Sequence, residues 1–209
     1  MIKISTSILA IPSKNRTDAI KKLNGTNTDY IHIDVADGEF VNNKQFTIRE
    51  IKKLSKLSSK ELDIHLMVNN PIKYIKRIVN LENVTRITFH LEINKNHNKL
   101  ISYIKKYNKK CGIAIKPNTS TKELSEYLNS IDIILLMSVE PGFGGQKFIP
   151  ETINKIKELK TLTNKEIEID GGINNITIEA LKNNITTAVV GSYITNSNDY
   201  NKTINELKN

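Results

Sequence analysis

Apolar residues recur along this chain in short runs separated by longer stretches of helical period. The runs IKISTSIL (2–9), DYIHID (29–34), LDIHLM (62–67), VTRITFH (84–90), GIAIK (112–116), DIILLMS (132–138), EIEID (166–170) and TAVVG (187–191) have the length and residue content of strands. Between them lie REIKKLSKL (49–57), NPIKYIKRIVN (70–80), NKLISYIKKYNKK (98–110), STKELSEYLNS (120–130), PETINKIKELKTL (150–162) and NITIEALKNN (175–184), which read as helices. Leu100, Ile101, Ile104 and Tyr107 form one apolar stripe at steps of three and four. Ser120 with Glu123 fits a capping box, Pro71 and Pro150 fit first helical turns, and the segment 198–207 supplies the last helix.

Eight strands alternating with helices predict parallel strands joined by right-handed crossovers, closed as a (β/α)8 TIM barrel. At 209 residues and 38% hydrophobic content the chain is expected to form one catalytic domain over residues 1–209. An open doubly wound sheet is the alternative, but AIPSKNR after the first strand lacks the GxGxxG fingerprint of that fold.

Composition narrows the class further. The single cysteine, Cys111, excludes an internal disulfide framework and a cysteine-based zinc knot, and it opens an apolar run as a small buried hydrophobe would. No apolar run approaches the ~20 residues needed to cross a bilayer, so no membrane partner is expected and a cytoplasmic location is. The net charge of +9 raises nucleic acid as a ligand. The basic residues nevertheless spread over the polar faces of helices, with no zinc finger, aromatic RNA-binding patch or basic tail, and a solvated surface is the better reading.

Candidate chemistry sits where a barrel places it, at the C-terminal ends of strands. In HIDVADG (32–38), His32 and Asp34 share one face of the second strand because side chains alternate with period two. His65 ends the third strand and Asp170 the seventh. Two imidazoles and two carboxylates suit one divalent ion of borderline hardness: zinc, iron, cobalt or manganese. Asp34 and Asp170, from different strands, can exchange protons with opposite faces of a flat enediolate-like intermediate. One oxyanion-hole hydrogen bond is worth about 3–4 kcal/mol, whereas a bound zinc lowers the pKa of its water by ~8–9 units, about 12 kcal/mol. A metal is therefore the better source of the main stabilisation. Ser7 and His90 are candidates for substrate contact, and His97, in the polar run NKNHNK, reads as solvated.

Glycine clusters follow strands six, seven and eight: PGFGGQ (141–146), DGGI (170–173) and VGS (190–192). Gly171, Gly172, Gly191 and Ser192 offer backbone amides and a short helix terminus as an anion seat, a placement that suits phosphate. Gly142, Phe143, Gly144 and Gly145 form a longer loop that reads either as a flap over substrate or as a rigid turn. Met67 and Met137 lie near strand ends, where an apolar floor and ordinary core packing are both open.

Taken together, SIL at Ser7, HIDVADGEFV (32–41), LDIHLMV (62–68), ITFHLE (87–92), MSVEPGFGGQKF (137–148), DGGI and VGS resemble the ribulose-phosphate 3-epimerase family over nearly the whole barrel. The resemblance implies a ribulose-phosphate-binding barrel that interconverts D-ribulose 5-phosphate and D-xylulose 5-phosphate by inversion at C3. It implies a metal held by His32, Asp34, His65 and Asp170, one ion per subunit, with Asp34 and Asp170 as acid and base. His65, Asp170, Ser7, His90, Gly142 to Gly145, Gly171, Gly172, Gly191 and Ser192 would contact or enclose a phosphorylated ketopentose. Asp37 is assigned an orienting role, as are Met67 and Met137 around the intermediate. One departure stands out: Ala36 and Asn42 occupy positions where the family usually has methionine and proline. Loss of a thioether opens space near the reacting carbons, so a hexulose 6-phosphate such as allulose 6-phosphate is the rival substrate. A catalytically silent sugar-phosphate-binding barrel is the rival outside enzymology. Sequence alone leaves a homo-oligomer open.

Overall fold

The computed structural model describes residues 1–209. Eight parallel strands, β1 (Lys3–Ser7), β2 (Tyr30–Asp37), β4 (Glu61–Met67), β5 (Val84–His90), β6 (Lys110–Ile115), β7 (Ile133–Met137), β8 (Glu166–Asp170) and β9 (Thr187–Val190), close into a barrel. Closure runs through the pairing of β1 with both β9 and β2. The two-residue β3 (Lys44–Gln45) folds back antiparallel onto the end of β2, pairing Ala36 with Gln45. Helices α1 (Arg16–Asn24), α2 (Ile48–Leu57), α3 (Pro71–Ile78), α4 (His97–Lys106), α5 (Thr152–Leu162), α6 (Thr177–Leu181), α7 (Ser192–Thr195) and α8 (Tyr200–Lys208) complete the chain. The TIM barrel expected from the pattern of runs is the fold of this chain.

Strand alternation divides the apolar from the polar. Ile31 and Ile33, Ile64, Ile87 and Phe89, Ile113, Ile134 and Leu136, and Ile167 and Ile169 face the helices and build one large core with them. The opposite faces line the barrel interior, where the apolar clusters are small: Ala114, Leu135, Met137 and Val139, and Ala36 and Met67 with Val41. Much of the rest of the interior is polar: Ser5, His32, Asp63, His65, Arg86, Thr88, Glu168 and Thr187 are all buried. Cys111 belongs to the outer core, as its apolar setting suggests.

One helical expectation needs correction, and one helix lies outside the expected set. Residues 120–130 form no α-helix; the capping box at Ser120 and Glu123 is present, but it starts a 3-10 turn over Thr121–Leu124. Leu124 and Tyr127, three apart, are the side chains that reach the core, which matches a three-residue turn, and the Ser125 hydroxyl donates to the Lys122 carbonyl at 2.6 Å. Conversely, α1 was not singled out by periodicity. Its inward face is Arg16, Ala19, Ile20 and Leu23, a regular helical stripe whose first member is charged. Arg16 is buried by stacking on Phe46, with its guanidinium carbon 3.6 Å from the ring centre, and by pairing with Glu50 at 2.9 Å. No helix is long and apolar enough to cross a membrane.

Candidate metal and proton-transfer site

Strand register brings the candidate ligands to one level. Ser7 lies beside His32 across β1 and β2, Asp34 beside His65 across β2 and β4, and Asp170 ends β8 beside Met137. One ligand atom from each of His32, Asp34, His65 and Asp170 falls within 4.8 Å of every other. His32 Nε2 is 3.3 Å from Asp34 Oδ1 and 3.9 Å from Asp170 Oδ2, while His65 Nδ1 is 3.1 Å and 3.7 Å from the same two oxygens. His32 Nε2 is buried and makes no hydrogen bond. Two imidazole nitrogens and two carboxylate oxygens converging on one small volume, with an unpartnered nitrogen among them, form a cluster able to hold a metal ion.

The two carboxylates differ in surroundings. Burial alone would raise Asp34, but His32 and His65 on either side hold it well below the usual carboxylate range. Its Oδ2 also accepts a hydrogen bond from Ser7 Oγ at 2.8 Å. Asp170 goes the other way: burial, then the neighbouring charge of Asp34, pushes it up to about 6. Surroundings that separate two carboxyls in this way suit an acid and a base.

Beneath this level lies a second buried layer that sequence reasoning missed. His32 Nδ1 is 2.9 Å from Asp63 Oδ2, which also accepts from Ser5 Oγ at 3.0 Å. Arg86, fully buried, sits between Asp63, Glu166 and Glu168. Burial followed by the Asp63 charge pushes Glu168 up to about 8, and Arg86 ahead of His32 draws Asp63 down. The signal was available in the alternation itself: EIEID, LDIHLM and VTRITFH place charged residues on the same face as the candidate ligands.

At the C-terminal mouth of the barrel a cleft is lined by Ser7, Asp34, Met67, Met137, Asp170, Gly142 to Gly145, Gly171, Gly172, Gly191 and Ser192. The glycine loops after β7, β8 and β9 therefore meet at one opening. Gly172 has φ +66°, and a Cβ there would lie 2.3 Å from the Phe148 nitrogen, so two loops touch through backbone. Ser138 Oγ ties them again, donating to the carbonyls of Asp170 and Gly171. The 142–146 loop is braced by Gln146, whose amide donates to the carbonyls of Glu140 and Phe143, and by Asn43, which donates to the Gly142 carbonyl; Phe143 stays exposed. Leu9, Ala10, Val139, Glu140 and Val189 also line the cleft, and none of them is a site residue in the sequence analysis.

His32, His65, His90 and Asp37 do not line it. His65 and His90 are fully buried and face each other, Nε2 to Nε2 at 2.9 Å. Burial, opposed by Glu92, holds His90 down to about 4. Asp37 Oδ1 accepts from the amides of Glu39 and Phe40, and Oδ2 from that of Asn69 at 2.7 Å, which clamps the loops after β2 and β4. His97 is more than a solvated residue: its Nε2 is 2.8 Å from the Leu91 carbonyl and its ring lies between Phe89 and Tyr127. Ala36 is buried against Val41 and Met67.

The model of the ribulose-phosphate 3-epimerase family matches residues 3–195. The chain is 37% identical to the ribulose-phosphate 3-epimerase of Buchnera aphidicola over 98% of this chain and 93% of that protein. It is 34% identical to that of Bacillus subtilis, covering 100% of this chain and 99% of that one. The cytoplasmic isoform of Oryza sativa is likewise 34% identical, over 99% and 92%. Among solved structures, Mycobacterium tuberculosis tryptophan synthase superposes with a TM-score of 0.72 at 9% identity, over 99% of this chain and 91% of that one. The tryptophan synthase alpha subunit of Campylobacter jejuni gives 0.67 at 17%, over 99% and 94%. At such identities the likeness is one of fold.

Proposed function

The chain belongs to the ribulose-phosphate 3-epimerase family, and from that membership and its buried histidine–aspartate cluster we infer that it interconverts D-ribulose 5-phosphate and D-xylulose 5-phosphate. The observation that carries the mechanism is the pair Asp34 and Asp170, placed at one level on strands separated by β1 and β9, with their proton affinities pushed apart. Asp34, held ionised, takes the C3 proton from one face of the sugar. Asp170, which retains its proton more readily, delivers one to the other face; in the reverse direction the two exchange roles. Ser7 keeps the Asp34 carboxylate in a single orientation through its 2.8 Å hydrogen bond.

His32 Nε2, Asp34 Oδ1, His65 Nδ1 and Asp170 Oδ2 would hold one divalent ion, of zinc, iron, cobalt or manganese type. Such an ion supplies positive charge beside the reacting carbons. The phosphate is assigned to the amides of Gly172, Gly191 and Ser192, with Gly142 to Gly145 closing the mouth above it. Met67 and Met137 give the planar intermediate an apolar floor.

A hexulose 6-phosphate is the second reading, because the small side chain of Ala36 is what packs behind Met67, and Met67 lines the cleft. A coupled assay on D-ribulose 5-phosphate, run beside allulose 6-phosphate and with metal content measured on protein purified without added metal, tests both readings. The pentulose is expected to give the higher kcat/KM, with about one divalent ion per chain. Higher efficiency on the hexulose would overturn the pentose assignment, and full turnover after complete chelation would overturn the metal.

A further inference from the structure

His65 reaches the cleft level with one nitrogen and leads away from it with the other. Its Nδ1 faces Asp34 Oδ1 and Asp170 Oδ2, while its Nε2 lies 2.9 Å from His90 Nε2. On the far side, His90 Nδ1 is 3.0 Å from Glu92 Oε2. The other Glu92 oxygen, Oε1, accepts from the Lys116 amide at 2.7 Å and from the Thr119 hydroxyl at 2.5 Å. Phe40 covers the chain of groups, its ring centre 4.6 Å from that of His90, and His90 is wholly buried.

The protons along this line are determined in sequence. A carboxylate only accepts, so His90 carries its proton on Nδ1. With one ring proton spent there, His90 Nε2 is a lone pair, and the 2.9 Å contact requires His65 to donate from Nε2. His65 Nδ1 faces Asp34 Oδ1 at 3.1 Å, an acceptor as well, so without a cation it donates there, and this Nδ1 hydrogen, rather than the one His90 holds at Nε2, is the one a cation displaces.

We propose that Glu92 is a positioning residue which, through His90, holds a hydrogen on His65 Nε2 and so leaves Nδ1 as the His65 nitrogen that can give up its hydrogen and bind a divalent cation. The inference rests on the reading of His65 as a metal ligand. It gives HLE (90–92) a task two side chains removed from the cleft, and it parallels the direct contact of Asp63 with His32 Nδ1. It also connects the loop after β6, through Lys116 and Thr119, to the ligand.

Glu92→Gln makes the sharpest test, because the change keeps shape and reverses polarity. Lys116 and Thr119 are both donors, so they select the amide oxygen, and the amide nitrogen is turned toward His90. His90 Nδ1 then has to accept, His90 Nε2 has to donate to His65 Nε2, and His65, left with no hydrogen on Nε2, has to keep the one on Nδ1, where it blocks the cation. Long-range proton–nitrogen correlation spectra of metal-free protein read the tautomers of the four histidines directly. The parent protein is expected to show hydrogen on His90 Nδ1 and on His65 Nε2, and Glu92→Gln to show hydrogen on His90 Nε2 and none on His65 Nε2. Zn2+ affinity by chelator competition is expected to fall about 10–100-fold in Glu92→Gln, with Glu92→Asp retaining the parent tautomers. Unchanged tautomers in Glu92→Gln, or unchanged Zn2+ affinity despite reversed ones, would overturn the proposal. Parent protein that takes up no Zn2+ would instead overturn the metal reading, and the tautomer spectra then decide whether Glu92 controls the two rings.

Discussion

Asp34 and Asp170 are the same side chain in different electrostatic company. Two flanking imidazoles keep the first ionised, and burial beside the first raises the proton affinity of the second, to about 6. Replacing either with asparagine keeps shape and removes proton transfer. Asp34→Asn and Asp170→Asn are each expected to lose about 10²–10⁴-fold in turnover while retaining the parent far-ultraviolet circular dichroism. Exchange of the C3 hydrogen with heavy water, measured at matched metal content, separates lost proton transfer from lost metal; parent-rate exchange in either variant would refute the assignment. At this scale His32, Asp34, His65 and Asp170 were legible because period two and a strand end suffice to place them together. Asp63, Arg86 and Glu168 share that face in the same alternation, but their burial was not legible, since a charged residue on a barrel's inner face reads like one on a wet face until the strands close over it.

The elements were legible in proportion to how cleanly apolar their inward faces are. α4 shows its stripe of Leu100, Ile101 and Ile104, and the structure buries all three. α1 hides behind Arg16, which occupies a core position only because Phe46 and Glu50 receive it. Residues 120–130 carry a correct start signal and a misleading length, because the connection from β6 to β7 buries Thr121, Leu124 and Tyr127 at three-residue steps. Start signals themselves have measurable weight. The Thr47 hydroxyl accepts from the Glu50 amide at 3.2 Å at the head of α2, so Thr47→Ala is expected to cost about 1 kcal/mol in urea unfolding. A change below a few tenths would show that tertiary contacts alone hold that turn.

For the molecule as a whole, the apolar core lies between barrel and helices, and the barrel interior carries charge. That division makes Arg86 the residue on which the interior depends, since it is the cation among Asp63, Glu166 and Glu168. Arg86→Met leaves Asp63 buried without its cation and is expected to destabilise the fold by ~3–5 kcal/mol, read from the urea midpoint. A loss under about 1 kcal/mol would mean that the network contributes no more than an exposed ion pair. The same layer bears on the site above it, because Asp63 holds the outer nitrogen of His32.

Sequence by itself determined the fold class, the strand ends that bear chemistry, and the identity of the four converging groups, since hydrophobic period and strand alternation are local properties that act before any long-range contact forms. Only the tertiary structure decided which loops share the mouth, that Asp37 clamps two of them, and that Glu92, His90 and His65 form one hydrogen-bonded line. Those relations join residues on different strands, and their distances are set by barrel closure and register, which no local pattern encodes.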